Sequence, residues 1–246
     1  MKIKDVQVGE ISIPLKKPFK TALREVEVLE NVVVKITTDT GHIGYGEAAI
    51  TPVITGDIMG SIKWAIMEHI GPNIMNRSIE NFEELMYILD NSLVNNSSPK
   101  AAVDMALYDL YGQLYNIPVY KLLGGFRDEI TTDITISVNE PEEMVEDSLE
   151  AIEKGYETLK IKVGKDWRKD LERLKAIRKA VGYDRQIRID ANQGWTPKEA
   201  VMVIRHMEDL DLDIELVEQP VKAKDLKGLK FVRDNVNTLI LADESC

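Results

Sequence analysis

The sequence predicts a molecule in two parts, an α+β domain over residues 1–125 and then an α/β domain over 126–246 that reads as the first part of a (β/α)8-type barrel. Three observations carry that fold class. Apolar runs end in polar residues at Lys160-Ile-Lys162, Asp190-Ala-Asn192, Glu218-Gln-Pro220 and Ala242-Asp243-Glu244. The steps from Lys162 to Asp190, to Glu218 and to Asp243 are 28, 28 and 25 residues, room for a strand of roughly 5, a helix of roughly 11 and two short loops. Before residue 125 the pattern instead runs from strands to helices, and Gly124-Gly125 separates the two regions.

In the first region, residues 26–37 and 42–48 predict two strands of an antiparallel meander, joined by the turn Thr38-Asp39-Thr40-Gly41. Val32, Val34 and Ile36 alternate there with Val33, Lys35 and Thr37. A polar, basic loop, Lys17-Pro-Phe-Lys-Thr-Ala-Leu-Arg24, is expected between the first two strands. Helices follow over 58–70, 79–93 and 99–115. Asp57 reads as the N-cap of the first, and Pro99 suits the first turn of the third, after Ser97-Ser98. Val103, Ala106, Leu107, Leu110 and Leu114 give that third helix an apolar stripe.

The second region opens with a strand over 130–138 and a helix from Glu140 to Lys154, closed by Gly155. Further helices are expected over 168–181, 197–210 and 225–235, with Thr196-Pro197 supplying a cap and a first-turn proline. Five strands and four helices thus occupy 246 − 125 = 121 residues, against eight of each and about 250 residues in a closed barrel. The apolar run ending at Ala242 would then lie at an open edge, an aggregation hazard. The sequence reads as a piece of a longer protein.

Acids at the ends of successive parallel strands are not ordinary surface residues, because helices cover both faces of such a sheet and only its strand ends open to solvent. Strands lie about 4.8 Å apart, so Asp190, Glu218 and Asp243 can each present an oxygen to one centre. Gathered without a counter-charge they would repel and one pKa would rise. A divalent cation removes that cost, and oxygen-only donors favour Mg²⁺ before Mn²⁺ or Ca²⁺. Thr135 stands 27 residues before Lys162 and reads as a member of the same series of strand ends. A single acid at a strand end is commonly a cap for the next helix; three in register read as ligands.

With 31 basic and 42 acidic residues the formal charge is 31 − 42 = −11, which argues against a nucleic-acid partner. A local basic cluster can still bind a small anion. Cys246 is the one cysteine, so neither a disulfide framework nor a thiolate site is expected and a cytoplasmic setting fits. The opening residues lack the apolar core of an export signal, and no run of about 18 apolar residues occurs, so membrane insertion is not expected. His42, His69 and His206 carry no ligand spacing.

The order Lys160-x-Lys162, Asp190-Ala-Asn192, Glu218-Gln-Pro220 and Ala242-Asp-Glu-Ser245, behind a mixed N-terminal domain, resembles the enolase superfamily in its muconate-lactonizing subgroup. Within that subgroup, the Lys17 to Arg24 loop, Ile54-Thr-Gly-Asp57 and Asp190-Ala-Asn-Gln-Gly-Trp195 look like the dipeptide epimerases of the L-Ala-D/L-Glu type. The resemblance implies an enolase-like capping domain before the barrel, and a Mg²⁺ held by Asp190, Glu218 and Asp243. It makes Lys162 one of two acid/base lysines and Lys160 that lysine's neighbour. Arg24 matches the position that binds the side-chain carboxylate of a glutamyl substrate, and Thr135 a substrate contact on the first barrel strand. It also implies a second lysine on the sixth strand and an Asp-x-Asp on the eighth, both beyond Cys246. A related cycloisomerase or o-succinylbenzoate synthase, or a chain without activity, are the alternatives. The expected partner is a small dipeptide, with room for a homo-oligomer.

The chemistry can be reasoned from the residues as well. Removing a proton α to a carboxylate makes a dianionic enediolate, which a cation at both oxygens stabilises. The base must be unprotonated near neutral pH, although a free lysine titrates near 10.4. Lys160 and Lys162 lie two apart on a strand and share a face, so each charge, together with the metal, should disfavour protonation of the other. Blander readings stand beside these. Lysines two apart commonly make a solvent-facing stripe, and Arg24 could pair with Glu25 or Glu47. Asn192 shares a face with Asp190 and either supports a ligand or only makes the turn, while Glu244 is expected to point away from Asp243.

Overall fold

A computed structural model describes residues 1–21 and 24–246. The chain forms two compact units, Met1–Lys16 with Val28–Glu129, and Lys17–Glu27 with Ile130–Cys246.

The sheet of the first unit has the order β1 (Ile3–Lys20), β2 (Glu25–Thr38), β3 (Ile43–Ala49). β2 and β3 pair antiparallel, from Asn31 opposite Ala49 to Thr37 opposite Ile43. Gly41 closes the hairpin at φ +82°, and Thr38 N–H donates to the His42 carbonyl at 2.9 Å. The expected alternation holds, with Val32, Val34 and Ile36 fully buried. Strand β1 runs through Lys17 to Lys20, which the sequence suggested as loop.

The first helical region is α1 (Met59–Trp64), a π-helical stretch Ala65–Ile70, then α2 (Gly71–Ile74), so 58–70 is not one regular helix. The second, α3 (Phe82–Ser92), starts three residues later than expected. The third, α4 (Ser97–Tyr115), begins before Pro99 and is entered through Asn96 in the left-handed region at φ +51°. Asp57 does not cap the helix that follows it, since Ile58 holds that cap position. Its carboxylate instead accepts from Ser98 N–H at 3.1 Å. It satisfies a free amide in the first turn of α4, forty-one residues away, which no local pattern announces. Helix α4 lies directly on β3 because Gly44 and Gly46 have no side chains there; a Cβ on either would overlap the carbonyl oxygen of Ala106 or Ala102. A short helix, α5 (Val119–Leu122), follows.

In the second unit β4 (Ile134–Ile136), β5 (Thr158–Lys162), β6 (Gln186–Asp190), β7 (Ile214–Glu218) and β8 (Leu239–Leu241) form one parallel sheet in chain order. Helices α6 (Pro141–Glu153), α7 (Trp167–Val181), α8 (Pro197–Asp209) and α9 (Leu226–Asp234) connect them. The strand predicted over 130–138 is thus three residues long, and Ile130 is 90% exposed. Leu159, Ile161, Ile187, Ile189 and Val217 point into a core shared with Leu174, Ile177, Val203 and Ile204 of the helices. The opposite face carries Thr158, Lys160 and Lys162 on β5, then Arg188 and Asp190 on β6.

Loops at the amino ends of the strands are tied by two charged side chains, buried Arg178 and part-buried Glu208. The Arg178 guanidinium donates to the carbonyls of Gly182, Arg185, Leu212 and Asp213 at 2.7–2.9 Å. Glu208 accepts from Asn237 N–H, Thr238 N–H and Thr238 Oγ1, each at 2.8 Å. Burial pushes the Glu208 carboxyl up, but these donors outweigh it and hold its pKa below the ordinary value. A carboxylate depressed in the folded state contributes stability that is present above its unfolded pKa, about 4.3, and is lost as pH falls through the folded value. Glu208→Ala removes the acceptor of these donors and should lower unfolding stability at pH 7 by about 0.5–1.5 kcal/mol. Denaturant unfolding of both proteins across a pH series should show the difference shrinking below about pH 4.3.

Candidate functional site

The polar ends of β5, β6 and β7 meet because parallel pairing is in register. Lys162 stands beside Asp190, Asp190 beside Glu218, and Glu218 beside Leu241. Thr135 is level with Lys160 and Arg188, one layer deeper than Lys162. Equal spacing along the chain suggested one shared row; the register decides otherwise, because the loops are not of equal length. Asp243 lies two residues past the end of β8, yet one oxygen from each of Asp190, Glu218 and Asp243 falls within 4.8 Å of the others. No histidine or cysteine joins that group among the described residues.

Asp190 is fully buried, while Lys162 and Glu218 are 6% and 9% exposed. Lys162 Nζ donates to Asp190 Oδ2 at 2.5 Å. Lys160 Nζ bridges, 3.1 Å from Asp190 and 2.7 Å from Glu218. Burial disfavours the Lys160 ammonium, but the Glu218 and Asp190 carboxylates outweigh it and raise the pKa. Each lysine Nζ thus stands at hydrogen-bond distance from a carboxylate of a neighbouring strand. Burial likewise pushes Asp190 up, but the Lys162 charge, its hydrogen bond and the Lys160 charge bring the net shift down. Glu218 moves up, through burial and the neighbouring Asp190 charge, against the Lys160 hydrogen bond.

The donor set suits a hard divalent ion. Octahedral Mg²⁺ with oxygen at about 2.0–2.1 Å places ligand oxygens roughly 2.9–4.2 Å apart, so three oxygens within 4.8 Å close on such an ion with a small inward shift.

Backbone and buried polar groups brace these side chains. Asn192 N–H donates to Asp190 Oδ1 at 2.9 Å, with Asn192, Gln193 and Gln219 all at positive φ. The Asn192 side chain turns toward Glu244, its Nδ2 lying 3.5 Å from Oε1. Glu244 therefore does not simply point away: strand alternation has ended at Leu241. Gly164, at φ +104°, follows Lys162 and donates to the fully buried Asp170 at 2.8 Å. Gln219 is also fully buried. Its amide donates to the Val221 carbonyl at 3.0 Å and to Ser245 Oγ at 2.7 Å, and its Oε1 accepts from the backbone of Asp243 and Ser245 at 2.9 and 3.2 Å. It fixes the segment that carries Asp243. Sequence reasoning missed Gln219 and Asp170; an amide set between an acid and a proline in Glu218-Gln-Pro220 was the available signal.

The segment from Lys17 belongs with this unit. Lys20 N–H donates to Ser137 Oγ and Val138 N–H to the Lys20 carbonyl, each at 3.3 Å. The Phe19 ring centroid stands 6.0 Å from Lys162 Nζ. Thr21 N–H donates to the Arg24 carbonyl at 2.9 Å; Ala22 and Leu23 lie outside the described residues. Arg24 is half-buried, and its guanidinium makes no ion pair among the described residues. The two surface pairings open to it are otherwise engaged: Glu25 lies 3.5 Å from Lys20, and Glu47 accepts from Asn31.

Comparison with known proteins gives the family and the fold. Residues 3–124 match the mandelate racemase/muconate lactonizing enzyme N-terminal domain, and residues 143–246 match the enolase C-terminal domain-like family. The chain is 59% identical to the L-Ala-D/L-Glu epimerase of Clostridium acetobutylicum over its whole length and 68% of that relative. The substrate-liganded L-Ala-D/L-Glu epimerase from Bacillus subtilis superposes with a TM-score of 0.98 at 51% identity, over all of this chain and 69% of that one. The dipeptide epimerase from Enterococcus faecalis, complexed with Mg and L-Leu-L-Tyr, gives 0.95 at 44%, again over all of this chain and 69% of the other. No helix among the described residues is long and apolar enough to cross a membrane.

If Gln219 sets the place of Asp243, Gln219→Leu should weaken Mg²⁺ binding by about 10- to 100-fold, the usual cost of losing a group that orients a ligand. Calorimetric titration with Mg²⁺ measures this; unchanged affinity would separate Gln219 from the site.

Proposed function

The chain belongs to the mandelate racemase/muconate lactonizing enzyme family, and from that premise we propose that it is a Mg²⁺-dependent dipeptide epimerase of the L-Ala-D/L-Glu type. The observation that carries the reading is the meeting of Asp190, Glu218 and Asp243 with Lys160 and Lys162 at the ends of adjacent strands. In this reading the three acids hold the metal, which when bound compensates the negative charge that builds on the substrate carboxylate as its α-proton leaves.

The chain's own residues do the rest. Lys162, on the strand next to Asp190, takes or returns the α-proton from one face of the carbon. Burial keeps water from competing for that proton. Lys160 stands between Asp190 and Glu218, beside the place of the reacting carboxylate. Thr135, level with Lys160, lines the layer below. Arg24 offers its planar fork to a carboxylate at the far end of the dipeptide. A cytoplasmic setting suits a chain whose one cysteine is a free, exposed thiol.

The reading is tested by incubating Mg²⁺-loaded protein with Ala-Glu dipeptides in D₂O and following deuterium at the α-carbon. Absence of exchange from every dipeptide would reject it. The role of Lys162 makes a sharper expectation. The resemblance implies that a lysine of the sixth barrel strand serves the opposite face, so in protein carrying that strand Lys162→Ala should stop exchange from one epimer and leave the other. Equal loss from both, with Mg²⁺ binding intact, would contradict the assignment.

For Arg24, losing a charged hydrogen-bond partner costs about 1.5–3 kcal/mol, or roughly 10- to 150-fold in kcat/KM. Arg24→Met should cost that much for Ala-Glu and far less for Ala-Leu. Equal losses on both would mean that Arg24 shapes its loop without reading the substrate.

A further inference from the structure

The strap from Lys17 to Arg24 is held to its unit at two points. In the middle, the Lys20 backbone pairs with Ser137 and Val138, just past β4. At its start, Lys17 Nζ reaches α6, 2.5 Å from Asp147 Oδ1 and 3.5 Å from Glu150 Oε2. Asp147 raises the Lys17 pKa by its hydrogen bond and its charge, and Glu150 adds to it, so the ammonium stays charged. The Asp147 side chain is 16% exposed and sits against the unit, while that of Lys17 is 63% exposed and reaches over from the strap. No described residue of 17–27 belongs to the apolar core of this unit. Docking therefore leans on polar contacts, and the ion pair is the part of it that salt can screen. Between the two attachments Phe19 faces Lys162, and just after the second the Thr21 N–H donates to the Arg24 carbonyl.

We propose that the Lys17–Asp147–Glu150 contact is an electrostatic latch that seats the strap over the strand ends, with Lys17 a positioning residue for substrate recognition by Arg24 and Phe19. This rests on the epimerase reading for its kinetic consequence but not for its structural one. Lys17 touches none of the reacting groups. Releasing it lets the strap leave more often, so substrate binds to a smaller seated fraction of the protein and KM rises, while the seated complex reacts at its former rate.

The experiment uses Mg²⁺-loaded protein and Ala-Glu with Lys17→Met, Asp147→Asn and the double variant, beside the charge swap of Lys17→Asp with Asp147→Lys. Each single variant should raise KM roughly two- to five-fold, the range of an exposed ion pair, with kcat little changed. The double variant should be no worse than either single one, and the swap should recover part of the loss. Raising salt from about 0.05 to about 0.5 M should raise KM more for the parent protein than for Lys17→Met. Without substrate, the amides of Lys20 and Val138 should exchange hydrogen faster in Lys17→Met. Unchanged KM with unchanged amide exchange, or single effects that simply add, would overturn the latch. If the parent protein turns over no dipeptide, the epimerase reading fails, and amide exchange by itself decides the latch.

Discussion

In-register parallel pairing of β5, β6 and β7 is the constraint on which the site depends. Once Lys162 is opposite Asp190, and Asp190 opposite Glu218, two carboxylates and a lysine must share a space one strand spacing wide. None of these side chains chooses its neighbour. The apolar residues between them do, because Leu159, Ile161, Ile187, Ile189 and Val217 are buried against the helices, and slipping any strand by one residue would expose them and bury the charges in their place. The same hydrophobic free energy that forms the sheet therefore holds its charges together.

Holding them there is electrostatically costly, and the structure distributes that cost. Lys160 and Lys162 stand at hydrogen-bond distance from Asp190 and Glu218, and Asn192 N–H adds a donor to Asp190. The loops beyond the strands are tightened by groups that never face the centre. Asp170 holds Gly164, and Gln219 holds the Asp243 segment through its amide and carbonyl together. A cluster so braced reorganises little when its charges are engaged, which is what charge stabilisation during proton transfer requires.

At the other end of the same strands, Arg178 and Glu208 collect the carbonyls and amides of the connecting loops. Stability is concentrated there and charge chemistry at the carboxyl ends, with the apolar core between them. The strap that carries Arg24 belongs to neither layer. It is attached by a short backbone pairing and an exposed ion pair, and contacts of that kind can open without unfolding what lies beneath.

Much of this was legible in the sequence. The step of 28 residues from Lys162 to Asp190 and again to Glu218 determined the strand–helix repeat, and parallel strands buried on both faces left their ends as the place for polar residues. The Lys-x-Lys and Asp-Ala-Asn motifs carried the family. The partners of the two lysines could not be read in this way, since they are carboxylates on neighbouring strands. The layer of Thr135, the distant amide that Asp57 satisfies, the extension of β1 to Lys20 and the bracing by Gln219 also waited for the tertiary structure. Periodicity is a property of local sequence and fixes which residues face inward, whereas register and long-range hydrogen bonds depend on loop lengths and on partners far along the chain, and only packing decides those.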